Sequence, residues 1–201
     1  MVEISKVRIV GAGLIGTSLG LALKQLGYEI DFQDVNREAE SLARDLVGGC
    51  LLTSPDLIVL ATPVSAVFEL LTTLYSSNPQ AFFIDMTGIK SEVMQQVEEF
   101  PEIAARFCAT HPMAGREFTG PTAAQSDLFA GRAWIVLPNS QTSEDLLGWL
   151  REMIHGNHRN HRSEAMREDR GVGGAGCGDP AYSVSVSLPR CRPRDPTRRA
   201  A

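Results

Sequence analysis

Cysteine is scarce and unpatterned in this chain. Cys50, Cys108, Cys177 and Cys191 form no CxxC pair and no metal-ligand spacing, so the reading is reduced thiols in a cytoplasmic protein, with no metal site. Long apolar runs are also missing, and nothing approaches the roughly 20 residues that a membrane span needs. Glu3, Lys6 and Arg8 interrupt the short apolar amino terminus, which is wrong for a signal peptide. Nor is there a basic excess. The 19 Lys and Arg against 24 Asp and Glu leave a net charge of -5, which gives no reason to expect a nucleic-acid partner.

What is present belongs to a globular protein: 201 residues, 43% of them hydrophobic, with a mean hydropathy of -0.07. That length suffices for one well-buried domain and part of another. Val7–Val10 is a short β-branched run ending at Gly11, and Leu14 to Leu26 has the apolar spacing of a helix stopped by Gly27. Glu29 to Gln33 reads as a strand ending at Asp34, and Arg37 to Leu46 as a helix. Leu57-Ile58-Val59-Leu60-Ala61 is an unbroken apolar run, as expected of a parallel strand covered on both faces. A helix over Val64 to Leu74 follows, then a strand at Phe82-Phe83-Ile84, a helix from Lys90 to Glu98, and a strand at Phe107-Cys108-Ala109. Trp134–Leu137 and Ser143 to Ile154 add a strand and a helix, the latter with Ser143 as its cap. Strands alternating with helices predict an α/β fold, a doubly wound parallel sheet of Rossmann-like type over residues 1–155. Trp134 and Trp149 read as anchors of helix on sheet.

Beyond His155 this pattern fails. Residues 156–201 hold nine Arg, no Lys and five acids, with only five large aliphatic residues. The expectation is a poorly ordered basic tail without a packed core. A sharper reading comes from the genetic code. With CGN arginine codons, Asn157–Arg162 read one nucleotide later gives mostly Ile and Thr, a strand, so the tail is expected to be an out-of-frame translation. The nucleotide sequence decides this, and an early stop codon in the shifted frame would end the idea.

Two motifs carry chemistry. Gly11-Ala12-Gly13-Leu14-Ile15-Gly16 is a G-x-G-x-x-G loop between strand and helix. Gly11 permits the tight turn, Gly13 lets backbone approach a pyrophosphate, and Gly16 allows helix to pack on strand. The free N–H groups at the start of the helix, at Leu14 and Ile15, favour phosphate. Asp34 ends the second strand 18 residues after Gly16, where a carboxylate accepts the adenosine ribose hydroxyls and repels a 2′-phosphate. NAD is therefore the expected cofactor, with Arg37 softening the preference. A glycine-rich turn serving another ligand is the bland alternative.

The second motif is His111-Pro112-Met113-Ala114-Gly115-Arg116-Glu117, at the carboxyl end of a strand, where such sheets bind ligands. A histidine after a buried strand is often only a hydrogen-bonded structural residue. Here Pro112, Gly115, Gly120 and Glu117 surround it, and a neutral imidazole takes a proton from a hydroxyl as hydride leaves. Cys108, in the strand before it, reads as a small apolar residue.

Together these stretches resemble the prephenate/arogenate dehydrogenase family over roughly residues 5–155. The resemblance rests on Gly11–Leu19, Ala61-Thr62-Pro63-Val64, Asp85 with Lys90, His111–Gly115 with Glu117 and Gly120, and Leu128–Arg132 followed by Trp134. It implies an NAD-dependent oxidative decarboxylation of prephenate to 4-hydroxyphenylpyruvate, or of arogenate to tyrosine. In that reaction His111 binds and deprotonates the ring hydroxyl, and Glu117 organises the substrate pocket. Thr62 and Pro63 line the nicotinamide side. Two departures stand out. The family commonly has Asp-x-Gly-Ser-x-Lys, with the serine near the histidine. Here Gly88 takes the serine's place, leaving Thr87 to supply a hydroxyl. The family's helical carboxyl-terminal domain, with its homodimer contacts and an arginine for the substrate carboxylate, has no counterpart in residues 156–201. The expectation is a chain that binds NAD but turns over little substrate and lacks the dimer surface. Lys90, read by itself as a solvated residue, is shared with the β-hydroxyacid dehydrogenases, the alternative enzyme class; a nucleotide-binding fragment without catalysis is the non-enzymatic alternative.

Overall fold

The structure is a computed structural model that describes residues 3–114, 119–155 and 182–185. Strand β1 (Lys6–Val10) leads through the glycine loop into helix α1 (Leu14–Gln25), β2 (Glu29–Gln33) and α2 (Arg37–Val47). Then come β3 (Leu57–Leu60), α3 (Val64–Ser77), β4 (Phe82–Asp85), α4 (Ser91–Glu98), the single turn α5 (Pro101–Ala104) and β5 (Phe107–Pro112). A 3-10 turn (Pro121–Ala123), β6 (Ala133–Leu137), α6 (Glu144–His155) and β7 (Tyr182–Ser185) complete the order. The strands form one sheet in the order β2-β1-β3-β4-β5-β6-β7.

Strict alternation along the central strands builds two cores. Leu57 and Val59 of β3 face one layer, while Ile58 and Leu60 face the other. The first layer is closed by Leu19 and Leu23 of α1, Val47 of α2 and Trp149 of α6; the second by Leu71 of α3, Val97 of α4 and Ile103 of α5. Full burial of each such side chain contributes about 1.5–3 kcal/mol, which is why the apolar run at 57–60 lies at the centre of the sheet. Trp149 anchors α6 through its indole N–H, which donates to the Tyr28 hydroxyl at 3.0 Å. Asn36 caps α2 by accepting from Glu38 and Ala39 N–H. The Ser143 hydroxyl accepts the Asp145 N–H at 3.2 Å and so caps α6.

The expected Rossmann-like α/β fold is present, with two refinements. The sheet is parallel only from β2 to β5; β5–β6 and β6–β7 are antiparallel. A parallel neighbour needs a crossover, usually a helix, and between β5 and β6 the described residues contain only a 3-10 turn, so the chain doubles back. Second, the tail contains an element where none is expected. Tyr182–Ser185 pairs along β6, with Trp134 opposite Val184. The signal was legible: Tyr182, Val184, Val186 and Leu188 alternate with serines, the period of a strand. Residues 157–162 and the remainder of 156–201 lie outside the described residues.

Among the described residues, no helix is long and apolar enough to cross a membrane. No cluster of His, Cys, Asp and Glu among them could hold a metal.

Candidate dinucleotide site and histidine strand

The sheet changes winding direction between β1 and β3, and a cleft of about 440 Å³ opens there, outside the carboxyl ends of the strands. Its lining includes Gly11 and Gly13 after β1, Asp34 and Arg37 after β2, and Thr62 and Pro63 after β3. Each glycine does something different. Gly11 has φ +107°, and a Cβ there would sit 2.4 Å from the Ala61 carbonyl oxygen. A Cβ at Gly16 would lie 2.1 Å from the Gly11 carbonyl oxygen, so its absence lets α1 approach the loop. Gly13 is the opposite case, with nothing within 4 Å of its missing Cβ. It leaves the mouth of α1 open, and no side chain caps that helix. Leu14 is buried and Ile15 packs against the same core, and neither is among the residues that line the cleft.

Asp34, just past the end of β2, fastens the glycine loop. Its Oδ2 accepts the Ala12 N–H at 2.6 Å, and its Oδ1 accepts the Asn36 N–H at 2.8 Å. An ionised carboxylate has about four acceptor positions, so two remain after the glycine loop is fastened. The Thr62 hydroxyl, at the cleft wall, is buried without a hydrogen-bond partner. An open cradle at Gly13, a carboxylate with spare acceptors and an orphaned hydroxyl suit a dinucleotide.

His111 is the fifth residue of β5 rather than part of the loop after it, and its partner across the sheet is Ile135. Its Nδ1 is buried without a hydrogen-bond partner. Gly88 lies against the ring: a Cβ there would be 3.5 Å from His111 Cε1, an ordinary contact. Thr87 does not fill that gap. Its hydroxyl donates to Asp85 Oδ2 at 2.5 Å or the Ile89 carbonyl at 3.2 Å and accepts from Lys90 Nζ at 3.3 Å. The hydroxyl one residue early in sequence is turned away by the β4–α4 turn.

Lys90 is not solvated. Its Nζ lies 2.5 Å from Asp85 Oδ2, with side-chain exposures of 10% and 0%. Burial pulls the Lys90 pKa below its ordinary value, and the Asp85 carboxylate partly restores it. Asp85 also accepts the Thr110 N–H at 3.2 Å, and the Thr110 hydroxyl donates to the Asp85 carbonyl at 2.7 Å. The pair therefore fixes the backbone of β5 one residue before His111. Cys108, buried beside it, has its thiol pushed up to about 12, mainly by burial, which keeps it an inert apolar residue. Glu117, Gly115 and Arg116 lie outside the described residues.

The structure thus gathers Gly11, Gly13, Asp34, Thr62 and Pro63 around one cleft and puts Gly16 beneath it, while Gly88 and His111 meet two strands away. Sequence reasoning named Asp85 with Lys90 without foreseeing their buried ion pair, and missed Glu40, described below. The i,i+3 and i,i+4 spacing of Arg37, Glu40 and Arg44 is the signal that would have found the second. This arrangement is that of a dinucleotide-binding domain of an oxidoreductase. The family model for the prephenate dehydrogenase nucleotide-binding domain matches residues 19–159, and the chain belongs to that family. The probable prephenate dehydrogenase NovF of Streptomyces niveus is 32% identical over 149 residues, covering 73% of this chain and 41% of that protein. Prephenate dehydrogenase from A. aeolicus, solved with hydroxyphenyl propionate and NAD+, is 27% identical with a TM-score of 0.68. The match covers 76% of this chain and 57% of that one. Synechocystis arogenate dehydrogenase is 25% identical with a TM-score of 0.66, over 74% and 55%. The chain spans about half the length of the curated relatives it matches.

Proposed function

We propose that residues 1–155 bind NAD and supply one wall of an active site for oxidative decarboxylation of prephenate to 4-hydroxyphenylpyruvate, or of arogenate to tyrosine. The observation that carries this reading is the coincidence, on one sheet edge, of the Gly13–Asp34–Thr62 cleft with a histidine whose Nδ1 has no partner. Bound NAD supplies the hydride acceptor. Asp34 holds the adenosine ribose, the amino end of α1 with Leu14 and Ile15 N–H groups faces the pyrophosphate, and Thr62 and Pro63 line the nicotinamide side. His111 accepts the proton of the ring hydroxyl as the ring gives up hydride and carbon dioxide. Glu117 contributes to the substrate pocket. The substrate carboxylate and the homodimer contacts belong to the helical domain of the family.

Lys90 is committed to Asp85, which leaves it unsuited to serve as the free acid/base of a β-hydroxyacid dehydrogenase. Calorimetric titration of the purified chain with NAD and NADP, alongside a prephenate-dependent NADH assay, tests the proposal. NAD binding in the micromolar range is expected; no binding of either dinucleotide would refute it.

A further inference from the structure

Behind Asp34 runs a chain of ion pairs centred on Glu40 of α2. The Glu40 carboxylate is buried and receives three donors: the Asp34 N–H at 3.0 Å, Arg37 Nη1 at 2.9 Å and Arg44 Nη2 at 3.0 Å. Arg44 continues to the Phe32 carbonyl at 2.9 Å and to Asp31 at 3.5 Å, and Arg8 Nε meets Asp31 at 3.0 Å. The Asp34 N–H is the largest cause holding the Glu40 pKa below the ordinary carboxylate value, ahead of the arginines. Glu40 is therefore ionised at neutral pH. Asp31 and Glu40 are the carboxylates that Arg8, Arg37 and Arg44 meet, while the Asp34 carboxylate accepts the backbone N–H groups of Ala12 and Asn36.

Arg37 and Asp34 line the same cleft, and they pull in opposite directions. An exposed arginine beside the ribose is the group that accommodates a 2′-phosphate, whereas a carboxylate there excludes it. The Arg37 side chain is 82% exposed and that of Glu40 only 10%, so Glu40 is the fixed partner and Arg37 the one drawn to it. We propose that Glu40 is a specificity-determining residue for NAD over NADP: it pins the backbone of Asp34 and neutralises Arg37, leaving Asp34 as the uncompensated charge at the ribose. This rests on the assignment of the cleft to a dinucleotide. A 2′-phosphate, with about two negative charges, then meets a cleft whose cation among the described lining residues, Arg37, is already engaged by Glu40.

The test is direct binding of NAD and NADP to the purified 201-residue chain by calorimetry, which needs no turnover. E40Q should shift the affinity ratio toward NADP by about fivefold or more, and R37Q added to E40Q should take that gain away. Equal loss for both dinucleotides, or an unchanged ratio, would show that Glu40 only holds the helix in place and would overturn the proposal. If the unaltered chain binds neither dinucleotide, the cleft assignment itself fails and takes this proposal with it. Should E40Q not fold, as judged by circular dichroism, R37Q alone decides the matter. Its NADP:NAD ratio must fall by less than about threefold, because the guanidinium already serves Glu40. A larger fall would show Arg37 reaching the phosphate and overturn the assignment.

Discussion

Asp34 Oδ2 accepts the backbone N–H of Ala12 at 2.6 Å, so the residue that follows β2 also fastens the glycine loop that follows β1. One carboxylate joins the two segments that a dinucleotide bridges. Its substitution therefore has two separable consequences. D34A should weaken NAD by about tenfold, through loss of the ribose contact and the loop anchor together, at about 1.4 kcal/mol per tenfold. D34N retains an acceptor for Ala12 and should lose less, while relaxing discrimination against NADP. Titration of both variants with both dinucleotides checks this; an unaltered preference in D34N would remove Asp34 from the selectivity.

The glycines separate folding from binding. G11A forces a Cβ to 2.4 Å from the Ala61 carbonyl at a φ of +107° and should cost about 1–3 kcal/mol of stability. That loss is visible as a lower Tm. G13A meets nothing within 4 Å and should keep its Tm while losing NAD affinity, because the methyl group occupies the approach to the pyrophosphate. Equal Tm losses in the two variants would contradict this division.

His111 should affect chemistry rather than nucleotide binding. In a complete family member carrying this strand and loop, H111N is expected to lower kcat by about a hundred- to ten-thousand-fold, with little change in the Kd for NAD. Stopped-flow turnover and nucleotide titration separate the two. Near-normal kcat would return His111 to a structural role.

Gly88 leaves a gap beside an unpartnered nitrogen. A Cβ at this position makes only an ordinary 3.5 Å contact with the His111 ring, so G88S should fold without loss of Tm and bring a hydroxyl near the imidazole. The expected result is a changed chemical shift of the His111 imidazole signals by NMR. An unaltered signal would show that the hydroxyl points elsewhere, as that of Thr87 does.

Glu40 gives a pH dependence with a definite sign. Its pKa is lowered in the folded chain, so its contribution to stability is present above the unfolded value and is lost as pH falls through the folded one. The Tm advantage of the unaltered chain over E40Q should therefore shrink as pH falls below the ordinary carboxylate value of 4.5. A constant difference would mean that the Glu40 charge is not linked to folding.

The sequence by itself determined the alternation of strands and helices from Val7 to Ile154, because apolar period and glycine punctuation are local signals. It also determined the place of the dinucleotide loop, since G-x-G-x-x-G acts through residues adjacent in the chain. What it did not determine was pairing at a distance. The reversal of β6 depends on the absence of a crossover helix, and the strand at Tyr182–Ser185 on an available edge of β6. The burial of Lys90 against Asp85, the turning of Thr87 away from His111 and the hold of Glu40 on the Asp34 backbone were likewise decided only by the tertiary structure. A charged side chain reads as solvated until the fold supplies a partner, and partners five or more residues away leave no periodic trace.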